Sequence, residues 1–241
     1  MLTLDRNSPI PLYHQLKQIL LEKMAQGEWK AGDLLPSEQE LQDTYGLSRI
    51  TVRQTLGEMV NDGLLLRQRG RGTFVARAKI AHDPAQRFGI SDYMRQQGIE
   101  PGWQVIDEGW MAAPPSVAEA LQLSADGQVY RIRRLRLAND ERIGYHLAYL
   151  PPTSAEFIHR NALLEGESLA YLQTHPQMAT SRAHRTIEAI PAGDDETEWL
   201  NIEPDAPILR IQRLITAEDG TVLEFLCASY RGDRFKYQIT I

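Results

Sequence analysis

Residues 35–65 read LPSEQELQDTYGLSRITVRQTLGEMVNDGLL, and this stretch decides the fold of the first part of the chain. Ser37 and Glu40 have the spacing of a capping box, in which each side chain satisfies the other's free backbone N–H at a helix start. Leu41 and Tyr45 give that helix a small inner face, and Gly46 closes it. Only Leu47 separates Gly46 from Ser48, a good N-cap for a second helix. Two helices joined by so short a glycine-containing turn predict a helix-turn-helix. In the second helix Val52, Leu56, Met59 and Val60 form the expected buried stripe, and Gly63 stops it. Arg49 and Arg53, one turn apart, stack on one edge of the stripe. Ile50, Gln54 and Gly57 form a neighbouring strip that the core does not need.

Upstream, PLYHQLKQILLEKMAQG (11–27) places Leu12, Leu16, Ile19, Leu20 and Met24 at helical spacing, with Gly27 past the last turn. Downstream comes RQRGRGTFVAR (67–77). It could be a disordered arginine-glycine tail, a phosphate-cradling loop, or a hairpin with charge at its tip. The runs LLLRQ (64–68) and TFVAR (73–77) are β-rich, so a hairpin is expected, with Gly70 and Gly72 shaping a tight tip. The glycines lack the lysine-hydroxyl pair of a P-loop and do not open a helix. Helix, helix-turn-helix and glycine-tipped basic hairpin together predict a winged helix-turn-helix. In that arrangement the third helix enters the major groove while phosphate contacts set its register.

The 241-residue chain carries a formal net charge of -6, which argues against coating nucleic acid by bulk charge. Up to Arg77 there are 10 basic and 9 acidic residues; beyond it there are 16 and 23. The basic excess lies in Arg49, Arg53, Arg67, Arg69, Arg71 and Arg77, opposed over that span only by Glu58 and Asp62. The long apolar run of a membrane span is missing, and the start MLTLDRNSPIPLYHQ lacks a signal peptide's pattern, so a bacterial-type cytoplasm is expected. A single cysteine, Cys227, rules out an internal disulfide and a thiolate cluster, and its apolar run suits a core residue better than a nucleophile. The histidines show no metal spacing, so neither metal nor cofactor is expected.

After residue 76 the texture changes. AKIAHDPAQ reads as a linker, assigned to 77–84. A strand is expected in WQVIDEGWM and a proline-started helix in PPSVAEALQLS. QVYRIRRLRLA and RIGYHLAYLP form a hairpin about Asn139-Asp140. Helical pieces follow at about 154–175, then a strand in SRAHRTIEAIPA and a short acid-started helix in DDETEWLNI. Asp219-Gly220 joins two closing strands, and a third follows Arg234. This pattern predicts an α+β domain with a mainly antiparallel sheet over residues 85–241.

Residues 1–76 resemble the GntR family of bacterial transcription regulators. PLYHQLKQIL, Leu-Pro-Ser-Glu (35–38), Ser-Arg-x-Thr-Val-Arg (48–53) and Gly-x-Gly-Thr-Phe-Val (70–75) stand in that family's order and spacing. From about residue 85 the chain is similar to the UTRA effector-binding domain of the HutC subfamily, through RIRRLRLANDERI, YLP, TIEAIPA and YRGDRFKY. That domain has a chorismate-lyase-like fold. The resemblance implies a homodimer on double-stranded operator DNA with two half-sites. It also implies a small-molecule effector, such as a sugar phosphate, organic acid or amino-acid catabolite, that alters DNA affinity.

By family motif the DNA contacts are Ser37, Gln39, Arg49, Thr51, Arg53, Gly70 and Gly72. Arg69, Arg71 and Thr73 join them as neighbours on the wing. Gln54 offers an amide that matches adenine in the major groove, or is a plain surface residue. Family position places Arg134, Arg136, Ser168, Arg182, Glu224 and Tyr230 in the effector pocket. Arg134 and Arg136 share a strand face, and two like charges side by side suggest an anion between them, though a charged outer face is the alternative. Backbone amides at Phe88, Gly89, Ile90 and Ser91, at the start of an expected helix, could hold an anion. Relatives commonly carry glutamate where His146 stands. A histidine there can donate to a carboxylate and titrates near neutral pH, or is simply a hydrogen-bonded strand residue. The rival reading is an enzyme acting on a small organic acid through the lyase-like domain. No compelling acid-base set supports it, and an RNA-binding or architectural role fits the acidic body poorly.

Overall fold

The computed structural model describes residues 4–68, 70–77, 79–82 and 90–239. The chain divides into two compact units, Met1–Ala78 and Lys79–Ile241.

In the first unit, α1 (Leu12–Ala25) buries Leu16, Ile19 and Leu20. Full burial of such side chains stabilises by about 1.5–3 kcal/mol each. The helix-turn-helix follows as α2 (Glu38–Tyr45) and α3 (Arg49–Asn61). The capping box is complete: Ser37 Oγ accepts from Glu40 N at 3.2 Å, and Glu40 Oε2 accepts from Ser37 N at 2.7 Å. Gly46 ends α2 in the left-handed conformation, and Ser48 caps α3 by accepting from Thr51 N at 3.2 Å. Val60, expected in the stripe of α3, is only partly buried. Thr55 is fully buried instead, its hydroxyl lying within hydrogen-bonding distance of the Tyr13 and Thr51 carbonyls, so a polar residue serves as core. The wing pairs β1 (Leu65–Gln68) antiparallel with β2 (Gly72–Val75). Gly72 has φ +119°, and a Cβ there would stand 2.6 Å from the Leu34 side chain.

The second unit opens with β3 (Ile80–His82), within the stretch expected to be a linker. Ile80 and Ala81 are buried, and β3 pairs in parallel with β10 (Phe235–Tyr237). The polar character of AKIAHDPAQ masked two apolar residues that this closing strand covers. Then come α4 (Ile90–Gln96), β4 (Pro101–Ala112), α5 (Pro115–Ala120), β5 (Gln128–Ala138), β6 (Glu141–Leu150) and α6 (Pro152–Ala155). Three short 3-10 turns lie between α6 and β7 (Arg182–Pro191), which is followed by α7 (Asp194–Leu200), β8 (Pro207–Thr216) and β9 (Val222–Arg231). Six strands form one antiparallel sheet in the order β4-β5-β6-β9-β8-β7. The fold is therefore α+β, a winged helix-turn-helix followed by a domain built on an antiparallel sheet. Its main core contains Ile132, Ala148, Leu150, Tyr171, Leu172, Ile211, Leu226 and Ala228. On the other sheet face Leu135 and Tyr145 cluster with Leu200 of α7.

Candidate DNA interface and effector pocket

In the first unit the expected DNA contacts gather around one carboxylate. Glu38, at the start of α2, sets Oε1 3.0 Å from Arg67 Nη2 and 3.9 Å from Arg53 Nε, and Oε2 4.0 Å from Arg49 Nε. The side chains of Arg49, Arg53 and Arg67 are 71%, 56% and 45% exposed, so water screens these pairs and leaves the guanidinium groups free to turn outward. Gln39 and Gln54 are exposed, their amides donating to Asp43 at 2.9 Å and to Glu58 at 3.3 Å. Thr51 Oγ1 lies 2.9 Å from Ser48 Oγ, which ties it to the cap of α3. Gly70, Arg71, Gly72 and Thr73 line a groove of about 450 Å³ with Ser37, Glu38 and Arg67. Arg69 lies outside the described residues. Arg67, not among the expected DNA contacts, makes the shortest of the Glu38 contacts. Ile50 is 79% exposed at the start of α3, an apolar side chain with no role in the core.

In the second unit, one sheet face carries Trp103 on β4, Arg134 and Arg136 on β5, His146 on β6, Glu224 and Tyr230 on β9, and Arg213 on β8. Gly144 makes room for this set, since a Cβ there would stand 2.9 Å from the Tyr230 ring. Arg134 and Arg136 are both buried, which removes the outer-face alternative. They are used differently. Arg134 donates to the Leu163 and Ser168 carbonyls at 3.1 and 2.8 Å. Arg136 Nη2 donates to Ser91 Oγ at 2.6 Å, while its Nε and Nη1 are buried with no partner among the described residues. Both guanidinium groups lie over the Trp103 ring, 4.2 and 4.6 Å from its centroid. Burial lowers the pKa of each, but an arginine remains a cation.

Beneath them sits a buried ion pair. Arg213 Nε and Nη2 donate to Glu224 Oε2 at 3.0 and 2.8 Å, Tyr171 donates to Glu224 Oε1, and Arg213 Nη1 donates to Ser168 Oγ at 2.7 Å. Burial opposes the charge of Arg213, but Glu224, joined by Tyr171 and Tyr230, outweighs it and the guanidinium pKa is raised.

Three expectations change here. His146 does not titrate near neutral pH. Burial, reinforced by the charges of Arg134, Arg213 and Arg136, holds its imidazole well below 6.5. It is neutral, with Nε2 3.0 Å from Tyr230 Oη and Nδ1 without a partner among the described residues. Arg182 is exposed, and its register opposite Thr216 puts it on the far sheet face; the β7 arginine on the pocket face is Arg185, opposite Arg213. Ser91, whose amide was expected to be open to a ligand, donates it to Glu167 Oε1 at 3.0 Å. Ile90 is buried, and Phe88 and Gly89 lie outside the described residues.

Sequence reasoning missed Trp103, Glu167, Tyr171 and Arg213. A signal existed for Arg213: with the hairpin centred on Asp219-Gly220, period-two alternation puts it on the face of Glu224. Trp103 and Tyr171 join this buried cluster through tertiary packing alone. Cys227 is partly buried, with its thiol pushed up by burial, which does not suit a nucleophile. Among the described residues no group of histidine, cysteine and carboxylate side chains could hold a metal, and no helix is long and apolar enough to cross a membrane.

Residues 12–75 match the family model of bacterial regulatory proteins, gntR family, and residues 96–236 match the UTRA domain. The chain is 31% identical over 236 residues to the HTH-type transcriptional repressor NagR of Bacillus subtilis, covering 98% of this chain and 97% of that one. It is 29% identical, over 94% of each chain, to the probable fructoselysine utilization operon transcriptional repressor of Escherichia coli. Among solved structures, PhnF from Mycobacterium smegmatis aligns with a TM-score of 0.61 at 25% identity, covering 93% of this chain and 98% of that one.

Proposed function

The chain belongs to the gntR family of bacterial regulatory proteins and carries a UTRA domain, and from that premise we propose a metabolite-responsive repressor that binds a two-half-site operator as a homodimer. As a member it is a transcriptional regulator and not an enzyme, and the work proposed for it takes place in the cytoplasm. The effector is a small anion, such as a sugar phosphate, an organic acid or an amino-acid catabolite. The observation that carries this reading is Arg136, a buried cation with two guanidinium nitrogens, Nε and Nη1, unpartnered among the described residues. Unmet donors in a dry site cost free energy that an oxyanion recovers.

On DNA, α3 enters the major groove. Arg49 and Arg53 meet phosphates, with Ser37, Gln39 and Thr51 beside them. Ser37 Oγ accepts from the helix backbone, so its own hydrogen is free for a phosphate oxygen. Gln54, exposed on α3, reads adenine, and Ile50 meets a thymine methyl group. Gly70, Arg71, Gly72 and Thr73 bring the wing to the backbone, and Arg69, next to them in sequence, adds a further cation for the phosphates. A second copy is favoured by β7, the outer strand of the sheet, where residues 182–189 are all exposed. A long bare sheet edge invites pairing.

Effector binding shifts the population of dimer geometries away from the one in which both α3 helices meet successive major grooves, about 34–36 Å apart. DNA and effector must then weaken each other's binding by the same factor. Titrating candidate metabolites calorimetrically with and without the operator measures this. A weaker effector affinity on DNA is expected; equal affinity in both titrations refutes the mechanism.

A further inference from the structure

The pocket already holds an anion of its own. Glu167 Oε1 accepts from Ser91 N at 3.0 Å, and Ser91 Oγ accepts from Arg136 Nη2 at 2.6 Å, so the carboxylate is joined through Ser91 to the half-satisfied guanidinium. The negative charge of Glu167 also favours the charged form of Arg136, against the larger effect of burial. The segment around Glu167 is fastened on both sides. The Gly166 carbonyl accepts from Ser91 Oγ at 2.9 Å and from Trp103 Nε1 at 3.1 Å, and the Ser168 carbonyl accepts from Arg134 at 2.8 Å. Gly166 holds φ +71°, a conformation that lets the chain turn sharply just before the carboxylate.

Resting on the reading of this pocket as an anion-effector site, we propose that Glu167 is a built-in competitor for the effector. Its carboxylate occupies the Ser91 amide in the ligand-free protein, and the effector anion must displace it. The amide has one hydrogen, so two acceptors cannot share it at full strength. A bound oxyanion beside Glu167 would also set two negative charges together in a poorly solvated site, where like charges repel strongly. Displacement therefore pushes residue 167 outward and loosens the turn at Gly166. The competitor sets affinity and selects among anions: a ligand with several oxygens and more than one charge, such as a phosphate ester, replaces every contact that Glu167 gives up. A monocarboxylate only exchanges like for like.

The test uses the full-length protein, with inorganic phosphate and acetate as probes in isothermal titration. Glu167→Gln keeps the size and removes the charge. Glu165→Gln removes a charge two residues away on an exposed side chain and controls for the general field. Glutamine keeps a neutral carbonyl that accepts from the Ser91 amide more weakly than the carboxylate does, so if the self-ligated state holds about nine-tenths of the molecules, its weakening tightens phosphate binding by up to about tenfold. The expected result is that gain in Glu167→Gln, little change in Glu165→Gln, and acetate weaker than phosphate in the wild type. Phosphate binding that is equal or weaker in Glu167→Gln than in the wild type overturns the proposal while the anion-site reading stands. Equal gains in both variants also overturn it, since they report field and not displacement. If neither wild type nor Glu167→Gln binds phosphate or acetate, the anion-site reading falls and the proposal with it.

Discussion

Glu38→Gln should make the protein bind random DNA more tightly and with a steeper dependence on salt. One carboxylate faces Arg67, Arg53 and Arg49 at 3.0, 3.9 and 4.0 Å, so the cluster offers DNA a net charge near +2 instead of +3. At about 4 Å a unit-charge pair is worth about 1 kcal/mol in water and about 4 kcal/mol at an effective dielectric near 20. Measured exposed pairs reach only about 0.2–1 kcal/mol. With the three arginine side chains 45–71% exposed, the lower figure governs, about 1 kcal/mol for the cluster. That corresponds to about a fivefold gain on a random duplex at physiological salt. One more unneutralised cation steepens the plot of log affinity against log salt by about 0.9. Arg53→Ala should do the reverse, flattening the slope by about 0.9 and weakening all sequences alike. Fluorescence anisotropy between about 50 and 200 mM salt, on a random duplex and on an operator selected from a random pool, reads both quantities. Circular dichroism guards against the small loss of helix stability from removing a first-turn acid. The reasoning is refuted if Glu38→Gln binds random DNA less tightly with its fold intact. It is refuted for Arg53 if the alanine variant loses operator but not random DNA, because Arg53 would then read bases.

Three further outcomes are expected. Ser37→Ala removes one half of the capping box and should cost about 1 kcal/mol in urea unfolding of the first unit, with DNA affinity falling as well. Arg213→Met strands the buried Glu224 carboxylate and should destabilise the second unit by about 3–5 kcal/mol, whereas Arg213→Met combined with Glu224→Leu should recover much of that loss; a double variant as weak as the sum of both singles would contradict a coupled pair. His146 and the buried His175 both have pKa values lowered by burial, so the unfolded chain binds more protons below about pH 6.5. Their contribution to stability is complete above that pH and falls as the solution is acidified, by up to about 1.4 kcal/mol per pH unit for each; His146→Gln should flatten the decline seen in unfolding curves between about pH 7.5 and 5.

The first unit was legible because its signals are local. A capping box, a left-handed glycine and a stripe at helical spacing act within one or two turns of chain, so Ser37, Gly46 and Ser48 fix α2 and α3 almost unaided. The reading slipped where packing overrides local pattern. Thr55 enters the core because two backbone carbonyls lie within reach of its hydroxyl, and β3 exists because β10, some 150 residues later, supplies its hydrogen bonds. In the second unit the strands were legible from alternation and turn residues. Alternation also put Arg134 and Arg136 on one face, but which face is buried depends on what covers the sheet.

From the sequence alone came the order of elements, the family resemblance, and the residue types gathered in each unit. Those follow from spacing, which acts along the chain. Tertiary structure decided how the arginines divide their labour. Arg134 is tied to two carbonyls, Arg136 keeps unmet donors, Arg182 turns away, and Glu38 holds three arginines at once. It also decided that His146 is neutral and that Glu167 occupies the Ser91 amide. Burial, register and the approach of distant segments set charge and hydrogen bonding, and none of these is a property of neighbours in sequence.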